Sequence, residues 1–184
     1  MEMLDERPKH RRSIRLKGYD YSQSGGYFVT LCTRNRECLF GEIVDEHIKL
    51  SDLGRIVAKC WQWLAEQYPY VQLDEWIVMP NHFHGIILIT NERRGGSRTA
   101  PTKRKPLGRI IGAFKTVSNK QINEYRRTPH PSVWQRNYCE HVIRNEIDLE
   151  EIREYIENNR AKWLEDENHP ANIEKGGSRT APTE

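Results

Sequence analysis

Apolar residues recur along the chain with two different periods, and the switches between them mark out the elements. "GYFVTLCTRN" (26–35) alternates around Phe28, Thr30 and Cys32 and predicts a strand. From Ser51, a favourable N-cap, Leu53, Ile56, Val57, Cys60 and Leu64 recur at helical spacing until Pro69 stops the run. "VQLDEWIVMP" and "NHFHGIILIT" follow as two apolar strands joined at Pro80-Asn81, a tight hairpin signal. Residues 91–106 hold Gly, Ser, Thr, Pro and basic residues and predict a flexible basic loop. A second helix then carries Leu107, Ile110, Ile111, Phe114 and Val117 on one face, and "VWQRNYCEHVIR" (133–144) predicts a further strand. The last helix is expected to begin at Asp148, with Glu151 three residues on as a capping-box analogue, and to run to about Trp163.

The order is therefore β-α-β-β-α-β-α. Without its last helix this is an α+β, ferredoxin-like (RRM-like) βαββαβ sandwich with an antiparallel sheet. A single domain is expected over 13–163, flanked by a basic N-terminal arm at 1–12 and a flexible C-terminal tail at 164–184.

Composition narrows the class. Of 184 residues, 36% are hydrophobic and 30% charged, which suits a soluble globular protein. The longest apolar run, Gly85 to Ile89, is far short of a membrane span, and no secretory signal pattern opens the chain. The four cysteines are scattered without a CxxC pair, so they read as reduced thiols of a cytoplasmic protein rather than a zinc site. Charge is segregated. Residues 93–127 hold eleven Lys/Arg against one acid, Glu124, whereas 140–174 hold four Lys/Arg against eleven Asp/Glu. The first segment is either a phosphate-binding surface or a solvated basic helix and loop.

Chemistry concentrates at "VMPNHFHGII" (78–87). Alternate strand residues share a face, so His82 and His84 point the same way and Phe83 the other. Two neutral imidazoles on one face can ligate a divalent metal; equally, one can be a core residue and the other a surface residue. On the last helix Tyr155 and Asn159 stand i, i+4 and share a face, with Ile152 a turn earlier. That is ordinary core packing, or an amide oxygen and a phenol available to a metal site.

His82-Phe83-His84 resembles the His-hydrophobic-His motif of the HUH nucleases, and more narrowly the single-tyrosine transposases of insertion sequences and of REP-associated elements. The resemblance covers about 13–163 and rests on five blocks in order: "IRLKGYDYSQSGGYFVTLCTRN", "VMPNHFHGII", "GRIIGAFK", "WQRNYCEHVIRN" and "YIENNRAKW". It implies a metal-dependent transferase of single-stranded DNA that nicks and rejoins strands near hairpin or palindromic repeats. His82 and His84 would bind Mg²⁺ or Mn²⁺, with Asn159 in the third ligand's place. Tyr155 would be the nucleophile, leaving a 5′-phosphotyrosine and a free 3′-hydroxyl. No Walker-type loop is present, so no nucleotide cofactor is expected. A homodimer exchanging last helices, with Tyr155 serving a neighbour's metal, is compatible with the sequence.

For backbone contacts the basic side chains Lys103, Arg104, Lys105, Arg109, Lys115 and Lys120 are the candidates. Lys162 either touches a phosphate or complements the helix dipole, and His141 is an accessory group or a structural one. Tyr19, Tyr21, Trp134 and Tyr138 are available to stack on bases, although most such aromatics belong to cores. The competing class is a non-catalytic RRM-like nucleic-acid-binding or regulatory module, which has no use for two imidazoles facing a Tyr-Asn helix.

One further pattern is "GGSRTAPT", present at 95–102 and again at 176–183. A flexible linker and tail explain its composition, but not its identity over the repeat. Gly-Gly-Ser-Arg-Thr-Ala can be encoded as GGC-GGT-TCG-CGA-ACC-GCC, which is its own reverse complement. The expectation is that both copies are translated palindromic repeats of the kind the resembling enzymes recognise. Codons that fail to pair at 95–100 would dispose of it.

Overall fold

The computed structural model describes residues 16, 18–91, 104–127, 129 and 131–173. The basic arm at 1–12, Lys103 and both octapeptide copies lie outside them. Strand β1 (Gly25–Cys32) is followed by a short hairpin, β2 (Gly41–Val44) and β3 (His47–Leu50), then by α1 (Asp52–Gln67), β4 (Val71–Val78), β5 (His82–Ile89), α2 (Leu107–Arg126), β6 (Cys139–Ile143), α3 (Glu146–Asn158) and a one-turn α4 (Pro170–Ile173). The main sheet runs β4-β5-β1-β6 and every neighbouring pair is antiparallel. With the hairpin set aside, this is the ferredoxin-like strand order that the βαββαβ pattern predicts.

Alternation along β1 and β5 divides the sheet into two faces. Tyr27, Val29, Leu31, Phe83, Ile87 and Ile89 join the core under α1 and α2. There Phe83 meets Trp61 of α1 and Phe114 of α2 at centroid distances of 4.5 and 5.6 Å. The other parity (Phe28, Thr30, His82, His84) faces α3, with Phe28 edge-on to Tyr155 at 5.9 Å. Gly85 makes the helical side possible. A Cβ there would stand 2.6 Å from Trp61 Cζ2 and 2.8 Å from Phe83 Cε1.

Four boundaries differ from the sequence expectation, each for a physical reason. The β2–β3 hairpin was not expected, because its turn is Asp45-Glu46 with positive φ at both residues, without the Asn-Gly or Asp-Gly signal such turns usually carry. The strand expected over 133–144 is regular only at Cys139–Ile143. Trp134 is instead buried, makes one bridge to Thr33, and its indole donates to Ser118 Oγ at 2.9 Å. Helix α3 starts at Glu146, since Asn145 caps it by accepting from the Asp148 amide at 2.8 Å. Asp148 turns its carboxylate to His141 and the Arg144 amide. Finally, α3 ends at Asn158, and the chain assigned to a flexible tail from 164 onward folds back through a 3-10 turn (Trp163–Glu165) and α4 as far as Ile173.

Candidate active site

The sheet places His82 and His84 side by side, ring centroids 4.6 Å apart and both essentially buried. Each is held through its Nδ1. Asn81 Oδ1 lies 2.9 Å from His82 Nδ1, and Thr30 Oγ1, directly across the ladder, lies 2.9 Å from His84 Nδ1. Both Nε2 atoms are thereby left for the space beneath α3. Burial lowers the His82 imidazole to about 3, against the opposing pull of the Asn159 side chain and with Arg36 adding to the effect. Burial and then the neighbouring His82 hold His84 well below its ordinary value. Both rings are neutral at physiological pH, the state in which imidazole binds metals.

Helix α3 brings the tyrosine. Its hydroxyl stands 3.5 Å from His84 Nε2, and the rings meet edge-on at 5.3 Å. The residue as a whole is 45% exposed and so within reach of a substrate. Burial of the hydroxyl, then the Asp166 charge, push the phenol up to about 12. Asn159, the C-cap residue of α3, is 3% exposed, and its Oδ1 has no hydrogen-bond partner.

A residue that the sequence did not single out completes the cluster. The turn after Trp163 carries Asp166 to the histidines, with Oδ2 3.7 Å from His82 Nε2. The ligand atoms of His82, His84 and Asp166 all lie within 4.8 Å of one another. Polar clasps hold the turn. Arg36 donates to Asn168 Oδ1 at 2.5 Å and to the Glu167 carbonyl at 3.3 Å, and Asn81 Nδ2 donates to the Asn168 carbonyl at 2.7 Å. In sequence, Asp166 is one acid of the run "LEDENH". Only the return of the chain after α3 distinguishes it from Glu165 and Glu167.

These groups fit a divalent cation. His82 Nε2 and Asn159 Oδ1 are buried without partners, and leaving such atoms unsatisfied costs on the order of 1–3 kcal/mol each. Two imidazoles and a carboxylate bring their ligand atoms within 4.8 Å of one another, and the Asn159 amide lines the same cleft. Mixed nitrogen and oxygen ligands suit several divalent metals, so the donor set does not select one. The adjoining cleft, about 530 Å³, is lined by Tyr155, Asn159 and Lys162 with Glu151, Glu154, Glu165, Asp166 and Glu167. Such a rim attracts cations and repels a bare polyanion.

The other candidate residues fall elsewhere. Lys162 is exposed on the cleft rim. His141 binds Asp148 at 3.0 Å and ties β6 to the first turn of α3. Arg109 and Lys120 are exposed on α2, on the opposite side of the sheet from the histidines. Lys115 is not a free cation: its ammonium donates to the Gln135 and Asn137 carbonyls, both at 2.8 Å. Arg104 donates to the Thr90 carbonyl at 3.3 Å, and Lys105 lies 5.7 Å from the Tyr68 ring centre. A larger groove of about 800 Å³ runs along α2 past Lys115, Lys120 and Arg127. It contains none of the residues of the histidine site. Tyr19 and Tyr21 pack together against Tyr27, and Trp134 is buried, so these three aromatics serve the core.

A ferredoxin-like sheet with a buried histidine pair beneath a tyrosine helix is an architecture for chemistry, and known proteins say which class. The chain belongs to the IS200-like transposase family, whose model matches residues 21–159. It is 40% identical over 166 residues to an uncharacterized protein of Haemophilus influenzae, covering 86% of this chain and 92% of that one. A second H. influenzae protein, assigned as a REP-associated tyrosine transposase, is 25% identical over 144 residues, covering 78% of this chain and 74% of its own. Among solved structures, a REP-associated tyrosine transposase bound to a REP hairpin shares the fold, with a TM-score of 0.56 at 19% identity over 80% of this chain and 73% of that one. The family match ends at Asn159, so Asp166 lies beyond it. No helix among the described residues is long and apolar enough to cross a membrane.

Proposed function

We propose that the protein is a metal-dependent strand transferase that nicks and rejoins single-stranded DNA beside hairpin repeats. The observation that carries this is the placement of the Tyr155 hydroxyl 3.5 Å from His84 Nε2, over a cluster of buried lone pairs that lack partners. His82, His84 and Asp166 would hold the ion, with Asn159 available as a further ligand. A bound Mg²⁺ or Mn²⁺ supplies charge that polarises the phosphate and lowers the phenol's pKa. The Tyr155 oxygen attacks phosphorus as the P–O3′ bond breaks, and one proton passes overall from the phenol to the departing 3′ oxygen. The products are a 5′-phosphotyrosine and a free 3′-hydroxyl. The retained phosphodiester energy allows rejoining without a nucleotide cofactor.

Phosphate contacts are divided between the two faces. Arg109, Lys120 and Arg127 serve the α2 side and Lys162 the cleft, with Arg104 and Lys105 just ahead of α2 and Lys103, outside the described residues, preceding them in sequence. In the described chain Tyr155 stands over its own histidines, which supports cleavage within one subunit. The likeness to a protein bound to a REP hairpin supports a hairpin substrate. The palindrome encodable by the octapeptide, with single-stranded flanks, is the first oligonucleotide to try.

The test is covalent capture. A labelled hairpin oligonucleotide is incubated with the protein in Mn²⁺ or in EDTA, and again with Tyr155→Phe. An SDS-resistant adduct that requires metal and vanishes in the variant is expected. Tight hairpin binding without any adduct would instead identify a binding module.

A further inference from the structure

We propose that Asn81 is the positioning residue that assembles the metal site, committing His82 to a single tautomer and docking the turn that carries Asp166. The inference rests on the His82–His84–Asp166 site proposed above.

The logic is one of donors and acceptors. Asn81 is fully buried, and its Nδ2 faces two backbone carbonyls, those of Asn168 at 2.7 Å and Arg36 at 3.0 Å. Carbonyls only accept, so the atom facing them is the NH₂ and the amide cannot be flipped. Its Oδ1 therefore faces His82 Nδ1 at 2.9 Å. An amide oxygen also only accepts, so Nδ1 of the neutral ring must carry the proton. Nε2 is then a bare lone pair, buried and without a hydrogen-bond partner. The two carbonyls thus dictate which nitrogen of His82 is free to bind metal.

His84 differs. Its Nδ1 partner is the Thr30 hydroxyl at 2.9 Å, which can donate or accept, so that contact orients the ring without choosing its tautomer. The same Asn81 amide that commits His82 also grips Asn168, two residues beyond Asp166. Asn81 in turn is held from its backbone, where its carbonyl accepts from both the amide and the hydroxyl of Thr33, at 2.8 and 3.0 Å. One side chain thus joins ligands that are 84 positions apart in sequence, His82 and Asp166. Groups that hold the outer nitrogen of a metal-bound histidine work in this way, and losing one typically costs about 10–100-fold in metal affinity.

The experiment uses the full-length, metal-free protein and reads the His82 ring nitrogens by long-range ¹H–¹⁵N NMR. The wild type is expected to show a pyrrole-type Nδ1 and a pyridine-type Nε2. The opposite tautomer, or a mixture, would overturn the proposal without any variant being made. Mn²⁺ titration calorimetry then compares Asn81→Ala and Asn81→Asp with wild type. Asn81→Ala is expected to lose at least tenfold in affinity and to show a mixed His82 tautomer. Asn81→Asp keeps an acceptor for Nδ1 but cannot donate to Asn168, so its tautomer should be retained while affinity still falls. A folded Asn81→Ala with unchanged tautomer and affinity within twofold of wild type would refute the positioning role. If wild type shows the expected tautomer but binds no Mn²⁺, the metal reading fails while the tautomer assignment stands.

Discussion

Arg153 on α3 grips Asp74 on β4 through two parallel hydrogen bonds, Nε to Oδ1 at 2.9 Å and the terminal nitrogen to Oδ2 at 2.6 Å. The β4–β5 register slips between Leu73 and Trp76, so the extra residue of β4 falls where Asp74 is aimed at the helix. Tyr155 lies two residues beyond Arg153, so this pair fixes the helix that carries the proposed nucleophile.

Arg153→Ala should therefore lower stability by about 1.5–3 kcal/mol, the range for hydrogen bonds to charged groups. The pair also has a pH signature. The Arg153 guanidinium holds the Asp74 carboxyl below its ordinary value, against the effect of burial. A depressed carboxyl contributes stability that is complete above its unfolded pKa and is lost as pH falls through the lower folded one. Denaturant melts from pH 6 to pH 2 should show wild type and Arg153→Ala converging in acid. A constant gap across that range would show that the pair's charge contributes little.

Asp166 and Asn159 make different predictions. Removing the carboxylate removes both a proposed ligand and the charged member of the His82–His84–Asp166 cluster, so Asp166→Asn should weaken Mn²⁺ binding at least tenfold. Asn159→Ala removes a neutral oxygen and should cost less. In metal-free protein the sign reverses, because Asp166 adds a charge to lone pairs that already lack donors. Asp166→Asn should leave the metal-free Tm unchanged or raised while shrinking the Tm gain on adding Mn²⁺, a gain worth about 2.7 kcal/mol at a hundredfold excess over Kd. Equal metal-induced gains in the variant and wild type would remove Asp166 from the site.

How much of this was legible in sequence depends on how local the cause is. That His82 and His84 share a strand face, and Tyr155 and Asn159 a helix face, was legible because strand parity and helical spacing are local rules, although only the family resemblance singled them out for chemistry; Ser51 likewise announced α1 as its N-cap. Asn145 and Asp148 show where locality misleads. Both are good caps three residues apart, and only the His141–Asp148 contact with β6 frees Asn145 for the role. Asp166 was out of reach, because its importance comes from a chain reversal fixed by Arg36 and Asn81, far away in sequence. Trp134 reads as a candidate for base stacking until Phe40 and Phe114 are seen packed against it at 5.1 and 5.5 Å.

Lys115 is predicted to act in folding rather than in DNA affinity. Its ammonium bridges the Gln135 and Asn137 carbonyls, and burial lowers it to about 8. Lys115→Met should destabilise the fold but leave the salt dependence of hairpin binding unchanged, whereas Lys120→Gln should reduce that slope by about one phosphate contact. The alkaline behaviour follows from linkage. Between about 8 and the ordinary lysine value the unfolded chain holds the proton that the folded chain has lost, so this group's contribution to stability rises with pH. Buried thiols such as Cys60, raised to about 11, act in the opposite sense. The informative quantity is therefore the difference between wild type and Lys115→Met, whose gap should widen from pH 8 to pH 10. A gap independent of pH would mean that the lysine keeps its charge throughout.

Gly85 connects the core to the chemistry. It follows His84 on β5 and points to the other face, where Trp61 occupies the space of a side chain. A methyl group at 2.6 Å from Trp61 Cζ2 cannot be accommodated without moving the indole, which is itself wedged between Phe83 and Phe114. Gly85→Ala should cost about 1–3 kcal/mol, the usual range for overpacking a core. Because strand and indole share the strain, β5 should shift at His84 and loosen its contact with Thr30. The paired substitution Gly85→Ala with Trp61→Phe supplies the missing room. It should recover part of the stability and, with it, the metal affinity that the single variant loses. Recovery of stability without recovery of affinity would show that the proposed metal ligands do not depend on the packing behind them.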